Sequence, residues 1–188
     1  MDIKKTKEIE ELKKEKKELV EKYSDILVEK RNKSINKAID DFELFFKEEE
    51  FELKSDDEFI HNAIYGDSAI KLSIHDPKKP LIGCQARMDL LVDLTEYEKR
   101  KYIIPINFKG ERPSINVKIS LEENKEGIEE KKNNIKEKIE ELKEKISNKD
   151  DLEFYYGLVE TVKGTKNSLL SEYPQHESFK RLLEEIFN

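Results

Sequence analysis

Hydrophobic residues near the N-terminus recur at alternating intervals of three and four positions, which is the spacing of one face of an α-helix. The members of this first stripe are Ile9, Leu12, Leu19, Tyr23 and Ile26, with Lys16 in the place of a missing member. A second, wider stripe follows with Ile35, Ala38, Ile39, Phe42, Phe45 and Phe46. The narrow stripe predicts a helix with a coiled-coil-like seam, and the wider one predicts a helix that packs on a globular core.

The middle of the chain changes to alternation of apolar and polar residues, which predicts β-strands. Four segments alternate in this way: 68–74, 82–94, 102–109 and 115–121. Before them, Ser55 and Glu58 have the spacing of a capping box, and Gly66 is a suitable residue to end a helix. We therefore expect a short helix between Ser55 and Gly66 that carries His61.

The last third of the chain returns to helical spacing. Residues 122–148 keep a heptad pattern, so this helix could pair antiparallel with the first one in one molecule, or either helix could mediate dimerisation. Residues 152–162 fit a strand and a helix face, and their aromatic and β-branched content favours a strand. Ser178 then precedes a short final helix.

Together these elements predict an α+β fold, with a central, mostly antiparallel mixed sheet flanked by long charged helices. The 188 residues suit one domain with a real core better than two full-sized domains. We assign residues 1–34 to an N-terminal helical extension and residues 35–188, which include the helix 122–148, to a single domain. Charged residues make up 42% of the chain, and long solvated helices can carry that charge on their outer faces.

Charge and cysteine content exclude several classes of protein. A net charge of −7 argues against a generic basic nucleic-acid binder, although it leaves open a nuclease, whose metal sites are acidic. The single cysteine, Cys84, excludes both a disulfide framework and a cysteine zinc site. The first residues lack an apolar signal core and no apolar run approaches membrane-spanning length, so we expect a cytoplasmic protein.

Three polar residues stand out on two neighbouring predicted strands. In the first strand Asp89 alternates with apolar residues, and in the second Asn107 and Lys109 do the same. The period of two places all three on the side opposite the apolar residues. If the strands pair as a hairpin, Asp89, Asn107 and Lys109 can converge on one polar patch.

The order of the elements and two short motifs resemble the PD-(D/E)XK nuclease superfamily, in particular its RecB-type members. The motifs are Arg87-Met88-Asp89-Leu90-Leu91-Val92 and Ile106-Asn107-Phe108-Lys109-Gly110. They are similar to the family's Asp followed by two hydrophobic residues and to its (Asp/Glu)-x-Lys on the next strand. The resemblance covers the chain from Phe51 onward and implies a restriction-endonuclease-like αβββαβ core.

The resemblance also implies roles for particular residues. Asp89 and position 107 would bind Mg²⁺ or Mn²⁺, which hold a phosphate oxygen and activate water. Lys109 would be the catalytic cation that offsets charge on the phosphorus centre. His61 lies where several family members have an additional metal-binding histidine, and Gln85 and Arg87 are candidates for phosphate contacts.

Asn107 departs from the family, which has Asp or Glu at this position. An amide oxygen can coordinate a hard cation but brings no charge, so metal affinity and activity should fall. A natural inactive descendant, a tolerated variant and a laboratory substitution all explain the asparagine. A second departure is that the helix 122–148 lacks the Gln and Tyr motif of many RecB-type members.

Ordinary structural roles compete with each of these assignments. Asp89 and Lys109 could form a cross-strand ion pair, and His61 could be a satisfied histidine of the core or surface. Two classes of function therefore remain. The first is a metal-dependent nuclease that cleaves phosphodiester bonds in nucleic acid, with DNA favoured over RNA. The second is a non-enzymatic interaction or scaffold protein with a degenerate nuclease fold, which binds a second copy or a partner protein through its long helices.

Overall fold

The computed structural model describes residues 3–76, 81, 84–109, 127–161 and 173–188. Its helices are α1 (Ile3–Glu48), α2 (Ile128–Ser147) and α3 (Phe179–Phe187), with a single 3-10 turn at Lys149–Asp151. Its strands are β1 (Glu52–Asp57), β2 (Ile60–Tyr65), β3 (Ser68–Ile74), β4 (Ala86–Asp93), β5 (Arg100–Phe108), β6 (Phe154–Gly157), β7 (Val159–Glu160) and β8 (Gln175–His176). The predicted strand 115–121 lies outside the described residues.

Packing divides the chain into two compact units. The described residues of the helical unit are 3–30 and 127–152, and those of the sheet unit are 31–76, 81, 84–109, 153–161 and 173–188. Helix α2 therefore groups with the first thirty residues, whereas the sequence-based division assigned it to the domain of residues 35–188. None of the described helices combines the length and the apolarity that crossing a membrane requires.

In the helical unit, ion pairs connect α1 to α2 and to the turn that follows it. The pairs are Lys5 with Glu129 at 2.7 Å, Glu8 with Lys132, Glu15 with Lys143 at 3.0 Å, and Lys30 with Asp150 at 3.9 Å. Because the partners ascend together along both segments, the two helices run parallel. The predicted antiparallel pairing is therefore wrong. An apolar seam is compatible with parallel and antiparallel helices, so only the cross-helix contacts decide the direction. Dimerisation through the helices stays a prediction.

The sheet unit contains an antiparallel sheet in the order β1-β2-β3-β4-β5-β6-β8, with β7 also paired to β5. The prediction of an α+β fold with a mostly antiparallel sheet is confirmed. Every strand pairing among the described residues is antiparallel, so the parallel pairing that a mixed sheet needs is absent from them. Strand β1 is at one end of this order, is rich in charge and has a bulge between Ser55 and Asp57.

One face of the sheet forms the core with the second part of α1 and with α3. Alternate residues of β4 are buried, as the period of two predicts. The largest buried side chains of the two helices are Phe42, Phe46, Phe179, Leu182 and Leu183, and they pack with Ile70, Leu72, Met88, Leu90, Ile104 and Ile106 of the sheet. The opposite face of the sheet is the one that carries Asp89.

The short helix predicted between Ser55 and Gly66 is wrong, since this segment forms the hairpin of β1 and β2. The Asp57 carboxylate accepts a hydrogen bond from the Phe59 amide at 2.8 Å, which makes a local turn in place of a helix cap. Gly66 has a φ of 57° and belongs to the turn between β2 and β3. The final helix is confirmed, and the Ser178 side chain accepts a hydrogen bond from the Arg181 amide.

Candidate functional site

Strands β4 and β5 form the antiparallel hairpin on which the predicted site depends, but its register separates the site residues. Asp89 lies opposite Ile103, four residues before Asn107 on β5. At roughly 3.3 Å per residue, this is about 13 Å along the strand, and Lys109 is further still. Asp89 and Asn107 lie on the same face of the sheet, whereas Lys109 comes after the last residue of β5. The structure does not bring Asp89 together with Asn107 and Lys109.

Basic side chains surround the Asp89 carboxylate instead. Arg87 donates to it twice, from Nε to Oδ1 at 2.8 Å and from Nη2 to Oδ2 at 3.2 Å. The Lys101 ammonium lies 2.8 Å from Oδ2, and His75 Nε2 lies 3.4 Å from Oδ1. We call these four residues the Asp89 cluster. The alternative prediction of a cross-strand ion pair between Asp89 and Lys109 is wrong, because Asp89 pairs with Arg87 and Lys101.

The cluster changes the acidity of Asp89 in two opposing ways. Only 14% of the Asp89 side chain is exposed, and burial by itself would raise the pKa of the carboxyl. Hydrogen bonds from Arg87 and Lys101, together with their positive charge, outweigh burial and lower the pKa below its usual value. Asp89 is therefore a stable anion at neutral pH that fixes the positions of two cations.

Asn107 is buried and uses both ends of its amide. Its Oδ1 accepts a hydrogen bond from the Gln85 backbone amide at 3.2 Å, and its Nδ2 donates to the Tyr173 hydroxyl at 3.0 Å. Burial also raises the pKa of Tyr173, so this hydroxyl stays neutral. Gly157 lies against the Tyr173 ring, where a Cβ would collide with it. These contacts give the asparagine a structural role at a buried position that suits a neutral amide better than an ionised carboxylate.

Lys109 and Gln85 lie apart from the Asp89 cluster. The Lys109 ammonium is exposed and pairs with Glu153 at 3.0 Å and with Glu177 at 3.4 Å. Hydrogen bonds to these two carboxylates raise the pKa of Lys109. Gln85 is exposed and contributes its backbone amide to Asn107.

His61 lies on the opposite face of the sheet from Asp89, since it pairs with Leu72 of the core face whereas Asp89 pairs with Ser73. Its Nδ1 is 3.1 Å from the Ser55 hydroxyl and 3.3 Å from a Glu43 carboxylate oxygen. Both neighbours meet the same ring nitrogen, so the three are not arranged as a nucleophile, base and orienting acid. His61 and Asp89 cannot bind one metal ion.

The residues around Asp89 do not fit Mg²⁺ or Mn²⁺. Such ions need several oxygen ligands, and the cluster supplies one carboxylate among cations that repel a divalent ion. Within the described parts of the chain, no three His, Cys, Asp or Glu side chains are grouped so that they could hold a metal. We therefore derive no catalytic step through a metal at this position.

Lys101 and His75 are the residues of this site that the sequence pattern did not single out. Lys101 follows the same alternation as Asn107, so the alternation predicts that both residues lie on the same face of the sheet. Its distance from Asp89 depends on how the turn at 94–99 sets the register, which alternation does not reveal. His75 comes directly after β3 and could be assigned to the cluster only once β3 was paired with β4.

No protein family, no curated protein and no solved structure was found to match the chain. The likeness to the PD-(D/E)XK nucleases thus depends on the order of the predicted elements and on the motifs around Asp89 and Lys109, and it stays a prediction.

Proposed function

We propose that the chain is a non-enzymatic binding protein that holds phosphate groups of nucleic acid on the sheet face around Asp89. The observation that carries this proposal is the arrangement of Arg87, Lys101 and His75 about one carboxylate. A carboxylate that is already fully engaged by cations cannot serve a metal, but it can orient those cations toward an anionic partner. The proposed function retains the nucleic-acid partner that the sequence predicts, but it does not include cleavage of that partner.

The three side chains around Asp89 have spare binding capacity and are accessible. Their exposed side-chain fractions are 24% for Arg87, 48% for Lys101 and 40% for His75. A guanidinium has five N–H donors, and Asp89 engages only part of this set. Arginine and lysine bind phosphate through charge-assisted hydrogen bonds, which are stronger than neutral ones.

Lys71 adds a further cation to the same face. It lies opposite Leu91 on β4, and Leu91 in turn lies opposite Lys101 on β5. Two strand spacings separate the two lysines, which is about 10 Å between their backbones. The resulting row of cations is local, because the chain as a whole carries a charge of −7. We therefore expect few phosphate contacts and an affinity that depends only moderately on salt.

Replacing Arg87 and Lys101 together with glutamine should weaken the binding of a short fluorescent oligonucleotide about tenfold, which corresponds to losing at least one charge-assisted contact. Fluorescence anisotropy at low salt measures this, with single-stranded DNA, duplex DNA and RNA as separate arms. The matched control combines Lys22→Gln with Lys145→Gln, because these two exposed lysines belong to the helical unit and their replacement removes the same charge. It should leave affinity unchanged.

Because Arg87 and Lys101 also neutralise Asp89, a second variant separates binding from folding. Lys71→Gln leaves every partner of Asp89 in place and should weaken binding by a factor of about two to five. Wild-type protein that gives no saturable anisotropy change would overturn the proposal. Equal affinities for wild type, Lys71→Gln and the double variant would overturn it too.

The metal-dependent nuclease is the second candidate, and the hairpin that carries Asp89 and Asn107 on its non-core face favours it. Titration calorimetry with Mn²⁺ separates the two candidates. A binding protein should show no saturable Mn²⁺ binding even after Asn107→Asp. A nuclease site should bind Mn²⁺ in that variant and lose the ion when Asp89→Ala is added. A cytoplasmic location stays a prediction for both candidates.

A further inference from the structure

Lysines make up more than half of the residues that line a cleft between α1 and α2 in the helical unit. The cavity has a volume of about 230 Å³. Its lining residues are Ile9, Lys13, Lys16, Lys131, Asn134, Ile135 and Lys138. Four of the seven are lysines and none is acidic, so the residues that line this cleft carry a net positive charge.

The charges of the cleft differ from those of the other contacts in the same unit. The cross-helix pairs of Lys5 with Glu129 and of Glu15 with Lys143 match opposite charges. In the cleft, Lys13 pairs with Glu10 at 2.7 Å. Among the described residues, Lys16, Lys131 and Lys138 have no carboxylate partner.

Like charges on facing helical positions repel one another and weaken a helix pair. A sequence with 43 acidic residues could readily have placed a glutamate at one of these positions. An anion in the cleft would remove the repulsion, and the Asn134 amide could add a neutral donor to the lysines. The apolar side chains of Ile9 and Ile135 complete a small, defined cavity.

We propose that this cleft is a binding site for a phosphate or diphosphate group. The charge selects an anion, and lysine binds phosphate as a compact point charge. A cavity of about 230 Å³ is smaller than the pockets of roughly 300–1,000 Å³ that enclose drug-sized ligands, so it accommodates the phosphate end of a ligand and not a whole nucleotide. This site is independent of the Asp89 cluster, because all its residues belong to the helical unit.

Titration calorimetry on the full chain with inorganic pyrophosphate tests the proposal. Wild type should bind pyrophosphate saturably, and Lys16→Gln combined with Lys138→Gln should raise the Kd about tenfold. The matched control combines Lys14→Gln with Lys145→Gln, which removes the same charge from exposed positions of the same two helices. It should retain wild-type affinity. The absence of saturable binding, or an equal loss in the control, would overturn the proposal.

Thermal unfolding provides a second readout that is independent of affinity. Without ligand, the Lys16→Gln and Lys138→Gln variant should unfold at a higher temperature than wild type, because the repulsion is reduced. Pyrophosphate should raise the midpoint of wild type more than that of the variant. An unliganded variant that is less stable than wild type would show that the lysines stabilise the helices structurally, and would overturn the proposal.

The source of the phosphate is resolved by parallel titrations with inorganic phosphate, a nucleoside diphosphate and an oligonucleotide with or without a 5′-phosphate. Tighter binding of pyrophosphate than of the oligonucleotides indicates a free phosphate ligand, and a preference for the 5′-phosphate indicates a nucleic-acid end. If all these anions bind with the same weak affinity, and only at low salt, the proposal of a phosphate site in the cleft is overturned. Lys71→Gln should leave pyrophosphate binding unchanged, so a failure of this site and a failure of the sheet-face proposal are distinguishable.

Discussion

Replacing Asn107 with aspartate should destabilise the chain by about 3 kcal/mol at neutral pH, since a charged group would replace a neutral one at a buried position. The new carboxylate could accept hydrogen bonds from the Gln85 amide and from the Tyr173 hydroxyl, so the expected cost comes from burying its charge. Urea denaturation followed by circular dichroism measures the change in the free energy of unfolding.

The control for this substitution is Asn133→Asp, which makes the same chemical change at an exposed position of α2. It should alter stability by about 0.5 kcal/mol or less. If Asn107→Asp instead keeps wild-type stability and gains further stability on addition of Mn²⁺, position 107 is a metal-ligand position and the binding-protein proposal fails. The same substitution thus distinguishes a structural asparagine from a lost catalytic carboxylate.

Asp89→Asn should lower the free energy of unfolding by about 2 kcal/mol at neutral pH. The reason is that Arg87 and Lys101 would lose the largely buried anion that neutralises them. The matched control is Asp93→Asn on the same strand. Asp93 pairs with Lys99 and half of its side chain is exposed, so its loss should cost about 0.5 kcal/mol or less. Equal costs for the two variants would contradict the geometry of the Asp89 cluster.

The loss should also depend on pH in a definite direction. The pKa of Asp89 is lowered in the folded chain, so the unfolded state binds the proton more readily. The stabilisation is complete above the unfolded pKa of about 3.9 and disappears as pH falls through the lower folded pKa. Denaturation curves of wild type and Asp89→Asn should therefore stay apart from neutral pH to about pH 5 and converge in more acidic solution. A difference that persists at the acid end would contradict this cause.

The sequence predicts which side of the sheet Asp89, Asn107 and Lys109 occupy, because strand side chains alternate with a period of two. It does not predict that Asp89 faces Ile103, since register depends on turn geometry and on contacts with other strands. For a similar reason the sequence does not predict whether α1 and α2 run parallel or antiparallel. Their apolar seam is compatible with both directions, and pairs such as Lys5 with Glu129 select the parallel one.

Local motifs were the least reliable guide. Ser55 and Glu58 match a capping box, but the alternation from Ile60 to Tyr65 and the turn at Asp57 produce a hairpin. The predicted helix also gives no face of the sheet for His61, because only the strand register shows that His61 lies on the core face. Tertiary pairing of β2 with β3 overrides the local capping signal here.

Strand β1 also has a consequence for how copies of this chain behave at high concentration. A sheet edge exposes unpaired backbone groups that can recruit the edge of another molecule, which is a route to aggregation. Among the described residues, β1 forms one edge of the sheet. Its sequence, Glu-Leu-Lys-Ser-Asp-Asp, places charges along this edge, and its bulge interrupts the regular ladder. Removing these charges would leave the core unchanged while making edge-to-edge association easier, so the charges of β1 contribute to colloidal stability more than to folding.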